Sequence, residues 1–227
     1  MFYFDPTYLW VLPGLLLGLW AQARVKSAYH KYSKVPTQRG QSAADAIRYL
    51  LNREGAEDVV IAETHGTLTD HYDPRSNTLR LSQGVHDSAS VAALGIAAHE
   101  AGHALQQKEK YPFLALRSLM VPVVNIGSRL AWPIFVLGII ASWEPLMTAG
   151  ILLFALVVLF SLVTLPVEFD ASRRAMRMLT AHGYLTQSEE TGAKKVLSAA
   201  AMTYVASFVS ALLQLMRLLA LANRRRD

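Results

Sequence analysis

A chain of 227 residues in which 52% are hydrophobic and 17% charged falls short of the roughly 25% charge of an ordinary soluble domain, and that deficit points to a membrane. With no cysteine, disulfides and thiolate metal sites are excluded, so any metal must be held by His, Asp or Glu. The net charge of +5 matters less than where it lies, and no nucleic-acid motif accompanies it.

Residues 8–23, "YLWVLPGLLLGLWAQA", are apolar, with Asp5 before them and Arg24, Lys26, Lys31, Lys34 and Arg39 after them. A secretory signal carries its positive charge in front, so residues 1–23 are expected to stay as a transmembrane helix. The positive-inside tendency then puts the N-terminus outside and residue 24 onward in the cytoplasm. Pro13 and Gly14 bend such a helix without disqualifying it.

Residues 24–118 read as a cytoplasmic catalytic region. "SAADAIRYLLNREG" (42–55) predicts a helix capped by Ser42 and stopped at Gly55. Val59–Ala62 and Thr78–Leu81 are predicted strands, and "DPRSN" (73–77) supplies the turn between the second of these and a partner near Thr67–Tyr72. Asp87 or Ser88 is expected to cap a helix that runs through "GIAAHEAGHALQQ" (95–107) to about Lys108, before Tyr111-Pro112 breaks it.

Residues 119–166 are expected to form a transmembrane hairpin: 119–141, mostly apolar but containing Asn125 and Arg129, then "SWEP" (142–145), then the uncharged 146–166. Residues 167–227 read as C-terminal helices, one starting after Pro166 and ending at Gly183, the next opened by the capping box "TQSE" (186–189). Crossing the membrane would put Arg224, Arg225 and Arg226 outside, against the charge rule. The last helix is therefore expected to pack on the catalytic region or lie at the membrane surface, with a fourth span over 196–222 as the alternative.

Positions i and i+4 share one helix face, so His99 and His103 can offer two imidazole nitrogens to one tetrahedral zinc. Glu100 sits about 100° round the helix from His99, beside the metal, where it can take a proton from a zinc-activated water attacking a carbonyl. The bland reading is two satisfied core histidines, and a third ligand decides between the two. Gln106 and Glu109 stand where a metzincin needs Gly and His, and the chain holds no Asp-Gly pair. Among the later acids, Glu109 points off the histidine face, Glu144 lies in the turn across the membrane, and Glu189 and Glu190 belong to the capping turn. Glu168 remains. At about 1.5 Å per residue from Leu146 it emerges roughly 33 Å from the far end of the hairpin, near the inner membrane surface.

"HEAGHALQ", a hydrophobic hairpin and "PVEFDASRRA" (166–175) together resemble the YugP-type zinc-dependent membrane metallopeptidases over nearly the whole chain. More distantly the chain is similar to gluzincin membrane proteases such as the heat-shock membrane protease and the CAAX prenyl endopeptidases. The resemblance implies a zinc endopeptidase with His99, His103 and Glu168 as ligands and Glu100 as general base. The distant relatives carry Glu-aromatic-x-Ala-Asp; here Glu168, Phe169 and Ala171 match, but position 172 is Ser and the acid is Asp170. Either Ser172 accepts the imidazole hydrogen bond of the missing carboxylate or another acid does so.

Arg129 and Asn125 are candidates for binding substrate carbonyls or an oxyanion, because an ionisable group in a membrane segment is functional by default. The alternatives are that Arg129 snorkels or that its segment begins as an exposed cytoplasmic helix. Arg173 and Arg174 compete for the same role, although a solvated or lipid-headgroup contact is the plainer reading. His65, His71 and His86 read as surface histidines, and the strand at Leu79–Leu81 is a candidate edge for an extended peptide.

The expected fold class is thus a mainly α integral membrane protein: transmembrane helices plus a cytoplasmic zincin-like catalytic domain with a small β-hairpin or sheet. The expected function is a multi-pass plasma-membrane metalloendopeptidase using Zn2+ on peptide or membrane-protein substrates, with the lipid bilayer as its other partner. The rival is a non-catalytic membrane scaffold with a structural zinc. Composition leaves the oligomeric state open.

Overall fold

A computed structural model describes residues 6–223; Asp5 and the arginines at 224–226 lie outside the described residues. Among the described residues, seven helices and three strands follow in order: α1 (Tyr8–Tyr32), α2 (Ala43–Arg53), β1 (Val60–Thr64), β2 (His71–Asp73), β3 (Thr78–Ser82), α3 (Gln83–His86), α4 (Val91–Lys108), α5 (Pro112–Ile140), α6 (Glu144–Ala181) and α7 (Gln187–Asn223). They divide into two compact units. One holds residues 1–21, 115–166 and 203–227; the other holds 22–114 and 167–202.

The second unit is built like a soluble domain. Ser42 caps α2 by accepting from the Asp45 amide at 3.2 Å, and Gly55 ends it at φ +67°, where a side chain would be strained. The helix face of Ala43, Ala46, Ile47, Leu50 and Leu51 is buried, as an i, i+3, i+4 spacing requires. After β2, the Asp73 carboxylate accepts from the Arg75 amide (3.0 Å) and the Ser76 hydroxyl (2.8 Å), and Asn77 takes the left-handed conformation at φ 49°. These bonds make the tight turn into β3.

The strand order is β1-β3-β2, with β1 parallel and β2 antiparallel to β3. The expected hairpin is present. The expected edge is not: β3 is paired on both sides, so it has no edge to offer a peptide, and β2 and β1 are the edges. Leu79 and Leu81 of β3 enter the core with α2, α4 and Leu197 of α7.

Helix α4 begins two or three residues later than expected, because Ser90, not Asp87 or Ser88, caps it by accepting from the Ala93 amide at 3.2 Å. Asp87 instead closes the short α3. Rich in alanine and buried along most of its length, α4 is the central helix of this unit, which its lack of a polar stripe requires.

In the other unit large apolar side chains face outward, Leu119 and Ile140 at 74% exposure and Ile126 at 63%. Glycines bring its helices together. A Cβ on Gly150 would lie 2.7 Å from the Phe135 backbone nitrogen, and one on Gly14 would lie 2.9 Å from Ser210, the close approach that membrane helices favour. Arg217 of α7 is buried, donating from Nε to Thr7 Oγ1 at 3.1 Å and lying 3.8 Å over the Tyr8 ring.

By length and composition α5, α6 and α7 can each cross a membrane, whereas α1 (Tyr8–Tyr32), where a span over residues 1–23 was expected, is not among the helices that meet this measure. Helix α7 therefore qualifies for the span that the charge rule disfavoured. Pro166 lies inside the single helix α6 and does not open a new one. A proline removes one backbone donor, and the turn before it is braced by Ser161 and Thr164 hydroxyls donating to the carbonyls of Val157 and Phe160.

Candidate metal centre

Three side chains converge within the second unit. His99 and His103 come from α4 and Glu168 from α6, and each offers one ligand atom, all within 4.8 Å of one another. Glu168 Oε2 lies 3.2 Å from His99 Nε2 and 3.6 Å from His103 Nε2. Atoms bound tetrahedrally to zinc at about 2.05 Å would be separated by about 3.3 Å, so these two distances already bracket what zinc needs. Among the described residues this is the one such group of His and acids.

Gly102 makes the convergence sterically accessible. A Cβ there would lie 2.5 Å from the Ala171 carbonyl oxygen, so only glycine lets α4 lie this close to the α6 backbone. Ala171 is followed by Ser172 and preceded, three residues back, by Glu168. The two helices thus touch at the point where their ligating side chains leave them. The imidazoles meet edge to face, with centroids 4.8 Å apart and planes at 81°.

Glu168 is only 2% exposed. Burial alone would raise its carboxyl pKa, but hydrogen bonds from His103 and His99 outweigh burial and hold it well below the usual carboxylate range. Burial would likewise lower the His103 pKa, yet the Glu168 partnership raises it. Glu100 differs: burial dominates and pushes its carboxyl above the usual range, although the neighbouring imidazoles pull the other way. The same site thus pulls its two acids apart, Glu168 toward a lower pKa and Glu100 toward a higher one. Glu100 Oε2 accepts from the Tyr72 amide of β2 at 3.1 Å, which fixes that carboxyl beside the edge strand.

The outer nitrogens of both histidines are engaged. Ser172 Oγ lies 3.1 Å from His99 Nδ1. Gln106 Oε1 lies 3.0 Å from His103 Nδ1. Asp170 does not reach an imidazole; it accepts from Gln106 Nε2 at 3.0 Å and from Arg174 Nε at 2.6 Å. Arg174 is further tied to Glu109 at 2.6 Å, so it is committed to carboxylates. Arg173 is largely exposed, its nearest acid Asp170 at 3.7 Å.

Asn125 and Arg129 belong to the other unit, both exposed on α5, and are not among the residues gathered here. His86 pairs with Asp87 and His71 with the Thr69 carbonyl, both away from the cluster. Gln106 and the Tyr72 amide were not foreseen as site groups. The available signal for Gln106 was its position three residues after His103 on the same helix. A cavity of about 620 Å³ opens between α6 and α7 of this unit, walled by Ser172, Phe169, Met176, Lys194 and Leu197.

The family described as "Putative neutral zinc metallopeptidase" matches residues 7–223. This chain belongs to that family. The chain is also 44% identical over 216 residues, 95% of its own length and 96% of the relative's, to the "Putative membrane protease YugP" of Bacillus subtilis (strain 168). No solved structure matches it. The donor set suits the metal in the family's description: two neutral-nitrogen ligands and one carboxylate, with no cysteine in the chain, is a zinc-competent combination.

Proposed function

We propose that this chain is a membrane-integrated zinc endopeptidase that hydrolyses peptide bonds at the cytoplasmic face of the plasma membrane. One observation carries the reading: His99 Nε2, His103 Nε2 and Glu168 Oε2 converge while the Glu100 carboxyl stands beside them, anchored to an edge strand. His99, His103 and Glu168 would hold the metal. Zinc bound there supplies a Lewis acid that polarises a carbonyl and acidifies water toward neutral pH.

The chain's own residues do the rest. Glu100 accepts the Tyr72 amide at Oε2, which leaves Oε1 to take the proton of the attacking water. As the new C–O bond forms and the C–N bond breaks, the same carboxyl returns that proton to the leaving amine. The raised affinity of Glu100 for a proton suits both halves of this exchange. Strand β2 pairs with β3 on one side only, so its other edge can align an extended substrate by main-chain hydrogen bonds. The cavity behind Ser172 has room for a substrate side chain.

The test is Glu100→Gln in the full-length protein purified in detergent. Its zinc content should equal wild type while cleavage of an unstructured peptide falls by about 10²- to 10⁴-fold. Unchanged cleavage would refute the peptidase reading and leave the scaffold with a structural zinc. Sidedness is open to a clean experiment because the chain contains no cysteine. Single replacements Ser42→Cys and Ser142→Cys should label oppositely with an impermeant thiol reagent, Ser142→Cys in intact cells and Ser42→Cys in inverted vesicles. The reverse pattern would put the catalytic unit outside.

A further inference from the structure

Gln106 is fully buried, at 0% exposure, and its side chain is saturated in a way that allows one orientation. Its Nε2 donates to the Val167 carbonyl at 2.8 Å and to Asp170 Oδ2 at 3.0 Å. Both partners are acceptors only. Turning the amide over would set its oxygen against two other oxygens, so chemistry fixes the assignment. Oε1 must then face His103 Nδ1, 3.0 Å away, and an acceptor there requires Nδ1 to carry a proton. The Nε2 nitrogen, on the Glu168 side, is left as the position that gives up its proton to a metal.

The carboxylate that pins this amide is itself pinned. Asp170 accepts from Arg174 Nε at 2.6 Å, and Arg174 Nη1 donates to Glu109 Oε2 at 2.6 Å. A continuous chain thus runs Glu109–Arg174–Asp170–Gln106–His103, crossing twice between α4 and α6. On the His99 side a single hydroxyl, Ser172, stands at the corresponding nitrogen.

We propose that Gln106 is a positioning residue for zinc: it holds the His103 proton on Nδ1 and so presents Nε2 to the metal, with Asp170 as the anchor of that amide. This rests on the His99–His103–Glu168 site being the zinc site. Outer hydrogen bonds of this kind are typically worth 10- to 100-fold in metal affinity.

The experiment measures zinc affinity of the full-length protein by competition with a chromophoric chelator, for wild type, Gln106→Leu, Gln106→Met and Glu168→Ala. Gln106→Leu removes the acceptor and should bind zinc 10- to 100-fold more weakly. Gln106→Met keeps the length and volume of the side chain but offers the Nδ1 proton no oxygen, and should bind as weakly as Gln106→Leu. A residue that merely supported packing would leave Gln106→Met near wild type, because the swap conserves volume. Either variant binding zinc as tightly as wild type overturns the proposal. If Gln106→Leu does not fold, zinc-loaded wild type with ¹⁵N-labelled histidine decides. His103 should show an exchange-protected proton on Nδ1, and a proton on Nε2 would overturn the assignment. The Glu168→Ala arm separates the two layers: if it keeps wild-type affinity, the zinc site itself is wrong, whereas its loss with unaffected Gln106 variants condemns only the role of Gln106.

Discussion

Leu79 and Leu81 are sealed inside the unit that carries the histidines, whereas Leu119 and Ile140 of the other unit stand 74% exposed. Both units are rich in leucine and alanine, and both bring helices to near-contact with glycine. In one, Gly102 sets α4 against the backbone of α6 and brings ligands together. In the other, Gly150 and Gly14 close helices around little more than apolar side chains and the buried Arg217. The difference teaches that the same close approach answers two solvents. Where water drives leucine inward, the glycine is free to serve geometry. Where lipid surrounds the helix and leucine gains nothing by burial, the glycine itself supplies the contact.

The contrast can be broken most directly with one substitution made twice. Leu81→Ala should cost about 2–5 kcal/mol, because it opens a cavity in a closed core. Leu119→Ala should change stability by less than about 0.5 kcal/mol, as expected away from any packed feature. Thermal unfolding of the purified protein in one detergent measures both, and equal losses would mean that the two units do not differ as described.

A smaller effect separates two glycines of α4. Gly102→Ala drives a methyl to within 2.5 Å of the Ala171 carbonyl oxygen and should destabilise by about 1–3 kcal/mol, offset in part by alanine's helix preference of about 1 kcal/mol. It should also weaken zinc retention, because α4 and α6 must part. Gly95→Ala meets Ala193 at an ordinary 3.5 Å and should be neutral or stabilising by up to about 1 kcal/mol. If both behave alike, the close approach at Gly102 does not set the site.

Much of this architecture was legible in the sequence where the cause is local. Ser42 and Gly55 marked the ends of α2 because a cap and a left-handed residue act within one turn, and "DPRSN" marked its turn for the same reason. His99, Glu100 and His103 were readable because helical spacing alone puts them on adjoining faces. Glu168 was picked out by removing the other glutamates after the motif, and its carboxylate does lie beside both imidazoles.

What escaped depends on distant partners. The parallel pairing of β1 with β3 leaves no trace in either strand's periodicity, so β3 was mistaken for an edge. Pro166 read as a helix boundary because its local rule is strong, yet α6 continues through it. Gln106 stood one turn after His103, but a polar residue in an alanine-rich helix does not by itself show what it bonds. Only the approach of Val167 and Asp170 from 61 and 64 residues away turns its amide into a fixed acceptor. Asp170 gave no sign of its task either, since it reaches His103 only through Gln106, whereas Ser172, weighed in the sequence as an imidazole partner, stands beside His99 Nδ1.

The most direct test is the zinc content of the purified full-length protein, wild type against Glu168→Ala. Close to one zinc per wild-type chain, lost when the carboxylate is removed, is the result expected from a centre built by His99, His103 and Glu168. A full complement of zinc in the Glu168→Ala protein would contradict it.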